Sequence, residues 1–306
     1  MAIQTTLTLP NQLGQYYDKR MLDRLMKNLV FMGLGQKKPL PQGNGVTINF
    51  ERYANLAALT SALTEGVVPA SQALTSSRIT ATVQQYGGYV QISDLLDLVA
   101  IDPVIESAVD LLGYQASLSI DTLIRNQLDA NGTDQYANGA VNEAAITGAD
   151  IMSATEIRKA VRSLKGVDAK PIRNGDYAFV IHPYQGYDLK ADTAAGGWMD
   201  ITKYVDNMPI LNGEIGKIDG AIVIESSNVS FLNNGTTDVY YAHMLADGAF
   251  GVVELSGGNL RTYVKTHGSS GAADPIDQIS SVGWKITFTS KVLDNARNII
   301  VKSAVS

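Results

Sequence analysis

The chain has 306 residues, 45% of them apolar, no cysteine and a formal net charge of −6. That length buries a full core in one large or two smaller domains, and the apolar content excludes a disordered chain. No run approaches the ~18 apolar residues of a spanning helix, and the lack of cysteine removes disulfides, thiol nucleophiles and cysteine-ligated metals. The first residues carry no basic stretch followed by an apolar one, so no signal peptide is expected.

Taken in chain order, Leu22, Leu25, Met26 and Leu29 predict an amphipathic helix over 13–32, ended by Gly33, Gly35, Pro39 and Pro41. Residues 1–45 carry Lys19, Arg20, Arg24, Lys27, Lys37 and Lys38 against Asp18 and Asp23, a net of +4 that leaves −10 on the remainder. The basic helix reads equally as a solvated face or as a face for an anionic partner. Its charge falls short of a module that reads base sequence.

Val46, Ile48 and Phe50 alternate with Thr47, Asn49 and Glu51, the pattern of a half-buried strand. Weak periodicity follows until Ile79, Ala81 and Val83 alternate with Thr80, Thr82 and Gln84. The apolar parity then flips to Val90 and Ile92 across Gly87 and Gly88, which predicts a bulge or bend at the glycines. A two-stranded ribbon is marginal alone in water, and a connection beyond ~15 residues is usually functional. This arm is therefore expected to lie on something else, a second copy of the chain being one candidate.

Ser93 or Asp94 opens a short helical turn, and Asp102 followed by Pro103 predicts a helix start. Ile105, Val109, Leu112, Ala116, Ile120 and Leu123 mark one face of a helix reaching about Asp129, roughly 40 Å long. Residues 130–150 read as a loop or junction. Ser153 and Glu156 form a capping-box pattern before a helix buried through Ile157, Val161 and Leu164. Strands are expected at Tyr177–Ile181, Gly220–Glu225, Val239–Leu245, Phe250–Leu255 and Leu260–Thr266. Helical or irregular pieces fall around Tyr187 and at Trp198–Val205. Val282, Trp284, Ile286 and Phe288 alternate with polar or small residues, and Ile299–Val301 closes the chain. The order is α+β. Residues 245–306 are expected to pack beside the long helix and the ribbon base, with 135–245 as an inserted second domain.

The catalytic inventory is thin. His182, His243 and His267 lack the spacing of a zinc-protease helix. His182 stands at a strand end before a proline, where catalytic residues occur, but a structural hydrogen-bonding role carries more weight. The stretch from Gly213 to Lys217 is too short for a phosphate loop, and Ile218 stands where the magnesium-binding hydroxyl belongs. Glu225, Asp238 and Glu254 would need a measured separation to count as a catalytic pair. Tyr16, Tyr17, Tyr86, Tyr89, Tyr240 and Tyr241 are candidate interface anchors or ordinary core and rim positions. No catalytic, cofactor-binding or metal-ligating residue is assigned.

Six segments together resemble a known family. Leu63–Val67, Thr80–Asp94, Asp102–Pro103, Val180–Pro183, Asn212–Gly220, and Asp274–Gln278 with Val282–Lys285 are similar, in order, to the major capsid proteins of tailed bacteriophages, in the branch typified by the N-four coliphage. The similarity runs from about residue 40 to the C-terminus. It implies the Hong Kong 97-type capsid fold. The implied parts are an N-terminal arm (1–44), an extended E-loop (45–92), and a peripheral domain with its spine helix (93–134). An axial domain (135–245) and peripheral-domain strands (246–306) complete the chain.

The resemblance also implies that the E-loop reaches over an adjacent subunit, with contacts expected at Thr64, Glu65, Gly66 and Arg78. Axial domains would meet at the centres of pentamers and hexamers, and the shell would enclose double-stranded DNA. Lys19, Arg20, Arg24 and Lys27 would face that DNA without base readout. Expected partners are copies of the chain, packaged DNA held non-specifically, and scaffolding, decoration and portal proteins, with no membrane and no cofactor. The implied place is the virion, after assembly in the host cytoplasm. Residues before the E-loop are too few for a large scaffolding segment, so scaffolding, if used, is expected to be a separate protein. Some relatives crosslink subunits through a lysine on this loop; here Arg52 and Arg78 are its only cations, so a non-covalent clasp is expected. Two other readings use the same features: an encapsulin-like compartment shell, and an α+β hydrolase or sugar-binding enzyme with converging carboxylates.

Overall fold

The computed structural model describes residue 21 and residues 29–43, 45–99, 104–173, 175–192, 214–265, 274 and 276–306. Strands β1 (Gln36–Leu40), β2 (Thr47–Tyr53), β3 (Ser76–Thr82) and β4 (Gln84–Ser93) precede helices α1 (Asp94–Val99) and α2 (Val104–Ala130). Then come β5 (Thr133–Tyr136), α3 (Ala154–Gly166), β6 (Tyr177–Ile181), α4 (Pro183–Ala191), β7 (Glu214–Ile218) and β8 (Ala221–Glu225). The chain ends with β9 (Phe231–Asn233), β10 (Asp238–Leu245), β11 (Phe250–Leu255), β12 (Arg261–Lys265), β13 (Ile279–Val292) and β14 (Asn298–Ser303). The helix start at Asp102 and Pro103, the piece at Trp198–Val205 and most of the expected helix at 13–32 lie outside the described residues.

A five-stranded sheet is built around β13, which pairs antiparallel with β4, β11 and β12, while β1 lies parallel on β11. The alternation of β13 turns Val282, Trp284, Ile286 and Phe288 toward α2. The helical period of α2 answers with Val109, Leu112, Ala116, Ile120 and Ile124, all buried in the same core. Burying each large aliphatic side chain contributes about 1.5–3 kcal/mol, so this seam holds helix to sheet. Trp284 Nε1 donates to Gln115 Oε1 at 3.2 Å, so the indole enters the core with its polar edge satisfied.

The expected bend at Gly87 and Gly88 is absent. β4 pairs with β13 from Ser93–Ile279 to Gln84–Phe288 without a register shift. The parity changes instead at Val83, where the chain leaves its pairing with β2 and joins β13. Ala81 and Val83 are buried at the base of the arm, whereas beyond Val83 the even positions face α2. The glycines answer close approach. A Cβ on Gly87 would sit 2.6 Å from the Trp284 carbonyl oxygen, and one on Gly88 would sit 2.9 Å from Gln115 Oε1. Gly87→Ala is therefore expected to cost about 1–3 kcal/mol, because backbone cannot yield without parting β4 from β13. Gly148→Ala, with open space around it, is expected to stay within about 0.5 kcal/mol. Urea unfolding of the two variants checks this.

The second sheet has seven strands in the order β5-β14-β10-β6-β8-β7, with β9 on β10. Ile157, Ala160, Val161 and Leu164 of α3 pack on Phe179, Val223, Met244, Ile299 and Val301. Residues 245–306 thus do not all lie beside α2: β14 sits between β5 and β10. All six of its residues are buried, as an inner strand covered on both faces requires. Capping also differs from expectation. Ser153 makes no side-chain cap, and Glu156 is drawn to Asn138 N, Gln135 and Lys159 instead. The capping box is at α4, where His182 Nδ1 accepts from Tyr184 N and Gln185 Oε1 accepts from His182 N.

The two sheets meet at the C-terminal half of α2. His243 of β10 is buried between Asp129 Oδ1 (2.8 Å from Nε2) and Asn298 Oδ1 (3.3 Å from Nδ1). Asn298 Nδ2 donates to the carbonyls of Leu128 and Asn131, which close the helix end. One helix terminus is thereby tied to strands of the seven-stranded sheet.

Candidate assembly surfaces

β2 and β3 pair in register from Thr47–Thr82 to Tyr53–Ser76, and Ala54 N donates to Thr75 O at 2.9 Å as a last rung. Beyond it the arm has little internal support. Val67 N bonds back to Thr64 O at 3.1 Å around Gly66, whose φ of +76° suits glycine, and Gln72 Nε2 reaches Ala57 O. Every residue from 51 to 78 is exposed, including Leu56, Leu63, Val67 and Leu74, with Leu59 77% and Val68 91% accessible. An apolar segment of this size left in water marks a surface that another molecule covers.

The base of the arm is held firmly. Ile48, Phe50, Ala81 and Val83 pack with Leu40 and Val253. The Phe50 ring occupies the place where a Cβ on Gly251 would stand, 2.7 Å away. Arg52 pairs with Asp294 at 2.8 Å, and Lys38 Nζ donates to Asn49 O while lying 5.0 Å from the Phe50 ring centre. The sheet thus fixes where the arm starts and leaves its length free.

Thr64, Glu65 and Gly66 come together at the turn, the far end of the arm. Arg78 does not join them: it lies on β3 and pairs across the ribbon with Glu51 at 3.4 Å. Lys19, Arg20, Arg24 and Lys27 lie outside the described residues, as do Tyr16, Tyr17, Gly213 and His267. The remaining chemical candidates are spread over both sheets. His182 caps a helix, and burial lowers its pKa. Glu225 pairs with Lys190 at 2.9 Å, Asp238 accepts from Asn233, and Glu254 is on the other sheet. No group of three or more His, Asp or Glu able to hold a metal occurs among the described residues, and no helix among them is long and apolar enough to cross a membrane.

Two features were not read from the sequence. α1 exposes Leu95, Leu96, Leu98 and Val99, an apolar surface whose short run carries no periodic signal. Lys302 is held by Asp134 (3.0 Å) and Glu143 (2.9 Å) beneath the rings of Tyr136 and Tyr241. Burial opposes its charge, but the hydrogen bonds it donates to Glu143 and Asp134 prevail and raise its pKa.

A model of the phage capsid protein family matches residues 75–297. The chain belongs to the phage capsid protein family. Its fold is the Hong Kong 97-type capsid fold. The capsid of Ralstonia phage GP4 superposes with a TM-score of 0.75 at 16% identity, covering 92% of this chain and 92% of that one. The head structure of Helicobacter pylori bacteriophage KHP40 gives 0.68 at 16% identity, over 90% and 92%. The capsid of cyanophage P-SCSP1u gives 0.67 at 17%, over 91% and 89%. At these identities the likeness establishes the fold. A search of curated proteins finds no match. As a phage capsid protein the chain is a structural component of the virion that associates with copies of itself, so its exposed arm and α1 are surfaces of a subunit.

Proposed function

We propose that this chain is the major capsid protein of a tailed phage in the N-four-like branch. Pentamers and hexamers of it form the icosahedral head shell around double-stranded DNA. The observation that carries this reading is the arm: residues 51–78 are exposed along their whole length, rich in leucine and valine, and anchored only at the base. Such a segment is stable when a neighbouring subunit covers it. Obligate interfaces commonly exceed ~2,000 Å2, and many weak contacts linked in one shell give a stable particle.

In this reading residues 1–44 form the N-terminal arm, 45–92 the E-loop, 93–134 and most of 246–306 the peripheral domain, and 135–245 the axial domain, whose sheet also takes in the last strand, β14. Thr64, Glu65, Gly66 and Arg78 contact the next subunit. Lys19, Arg20, Arg24 and Lys27 line the DNA side. Scaffolding, decoration and portal proteins join the assembly in the host cytoplasm. The role is structural rather than catalytic: His182 caps a helix, His243 is locked in a buried pair, Glu225 and Asp238 are each engaged by a neighbouring side chain, and Glu254 stands on the other sheet. With no lysine on the E-loop, the clasp is non-covalent.

Expression of the chain, with phage scaffolding supplied where required, is expected to give closed shells by negative-stain electron microscopy. Boiled in detergent, those shells should run as a single monomer band. Free monomers in all conditions would overturn the assembly reading, and a ladder of boiled multimers would overturn the non-covalent clasp.

A further inference from the structure

The joint between the two sheets is built on a ring that meets acceptors on both sides. His243 is fully buried on β10, with Asp129 Oδ1 2.8 Å from Nε2 and Asn298 Oδ1 3.3 Å from Nδ1. The direction of the Asn298 amide is fixed by its other partners. Its Nδ2 donates to Leu128 O at 2.9 Å and to Asn131 O at 3.1 Å, and an amide turned the other way would set oxygen against both carbonyls. Oδ1 therefore faces the ring as an acceptor. A neutral imidazole has one N–H and one bare nitrogen, so it would set a lone pair against one of the two oxygens. Two N–H groups satisfy both. A carboxyl is ordinarily a stronger acid than an imidazolium, so the second proton belongs to the ring and not to Asp129. His182 is the contrast: its Nδ1 accepts from Tyr184 N, which requires a bare nitrogen.

The surroundings suit a cation. α2 has no basic residue in its last turn, where Asp129 stands against the negative end of the helix. A carboxylate is unfavourable there alone, and an imidazolium supplied by β10 balances both the acid and the helix end. Behind Asp129 lies Arg125, its Nε 3.6 Å from Asp129 Oδ2 and its Nη1 drawn to Asn228. The other elements against the ring bring uncharged groups: Asn298 from β14, Val180 opposite on β6, and the Phe31 ring, edge to face at 5.8 Å. Further along β10, Tyr241 donates to Glu143, and Lys302 pairs with Glu143 and Asp134, a cluster satisfied within itself.

We infer that the joint is a proton-held latch: His243 carries protons on both ring nitrogens while the sheets are docked, and loss of one releases the end of α2 from the seven-stranded sheet. Deprotonation leaves a buried lone pair facing an oxygen, a repulsion relieved by parting the groups. Asn298 passes that parting to the carbonyls of Leu128 and Asn131 at the helix end. The docked subunit holds a proton that the unfolded chain gives up above the ordinary histidine range. The latch is thus closed in mild acid and weakens as pH rises. It lies within one subunit and does not depend on how subunits meet.

A full-length chain with His182→Gln and His267→Gln keeps His243 as its sole histidine. Nitrogen-15 NMR of that ring at pH ~7.5, where an ordinary imidazole is mostly neutral, should show two protonated nitrogens. A bare nitrogen would overturn the inference. The release is read from Asp129→Asn. Its new Nδ2 donates to a bare Nε2 while Nδ1–H still donates to Asn298, so a neutral ring satisfies the joint. From pH ~6 to ~9 the unfolding equilibrium constant of the wild type in urea should rise roughly tenfold or more relative to that of the variant. The effect of Asp121 is common to both proteins and cancels. Parallel curves would overturn the latch. Should the variant not fold, hydrogen exchange of the wild type decides: corrected for intrinsic rates, the Ile299–Val301 amides should open roughly tenfold more often at pH ~9 than at ~6. Unchanged protection there would overturn it equally.

Discussion

A chain in which residues 54–75 are replaced by an asparagine–glycine turn is expected to fold as the parent does and to form no shells. The cut falls just past the last paired residues of the ribbon, Tyr53 and Ser76, so a two-residue turn closes the hairpin without altering its register and gives up only the Ala54–Thr75 bond. The base core of Ile48, Phe50, Ala81 and Val83 and the Arg52–Asp294 pair are untouched. The removed residues are all exposed and give the isolated subunit little, so unfolding free energy should stay within about 1 kcal/mol of the parent. Assembly loses far more. Leu56, Leu59, Leu63, Val67, Val68 and Leu74 each offer about 1.5–3 kcal/mol when fully buried by a neighbour, and the loss recurs at every subunit of a shell. Thermal unfolding, size-exclusion chromatography and electron microscopy of the same preparation check both halves. Shells of normal yield would show that the arm is ornamental, and an unfolded chain would show that it supports its own subunit.

What was legible in the sequence was periodic and local. The alternation of Val282, Trp284, Ile286 and Phe288 and the helical spacing from Val109 to Ile120 each name a buried face without knowledge of a partner, and the two faces meet. The arm was legible for the opposite reason: polar and apolar residues without period, too many for a loop, imply no core beneath them. What failed depended on partners. The parity change belongs to Val83, where the strand exchanges β2 for β13, and the nearby glycines drew the bend to themselves because glycine is permissive of bends. In fact Gly87 and Gly283 serve close approach between strands separated by most of the chain, so their role has no signature in either segment. β14 reads as a generic apolar run and joins the sheet that needs an inner strand. Arg78 faces Glu51 across its own ribbon, a pairing that position on the arm alone does not reveal. Ser153 and Glu156 spell a capping box, but Glu156 has stronger partners in the loop before it.

The largest effect on the isolated subunit is expected at Asp121, which sits 1% exposed in the middle of α2. Burial pushes its carboxyl up from the ordinary 3.8 to about 6, against the opposing pull of hydrogen bonds from Phe31 N, Asn228 and Val30 N and of the Arg125 charge. Oδ1 accepts from Phe31 N at 2.9 Å and Val30 N at 3.2 Å, fastening the turn Phe31–Gly33 that leads into β1. Asp121→Ala strands both N–H groups and should cost about 2–4 kcal/mol. Asp121→Asn keeps an acceptor for them, loses the 3.4 Å contact from Asn228 and the attraction of Arg125, and no longer buries a charge. The sign of the pH effect follows from the raised value. The folded state holds the proton more tightly than the unfolded one, so the wild type is favoured below pH ~4 and loses stability as pH rises through about 6. The span from 3.8 to about 6 corresponds to about 3 kcal/mol in full. Urea unfolding of the two proteins at pH 4.5 and 7.5 should therefore show the asparagine variant gaining about 2 kcal/mol on the wild type over that range. A difference that stays flat would mean that the carboxyl is not strained by burial. Because β1 carries Lys38 against Phe50 and Leu40 into the arm's base, loosening the turn at Asp121 loosens the platform from which the arm projects. Asp121→Ala should accordingly lower shell yield even at temperatures where the subunit remains folded, while Asp121→Asn should not.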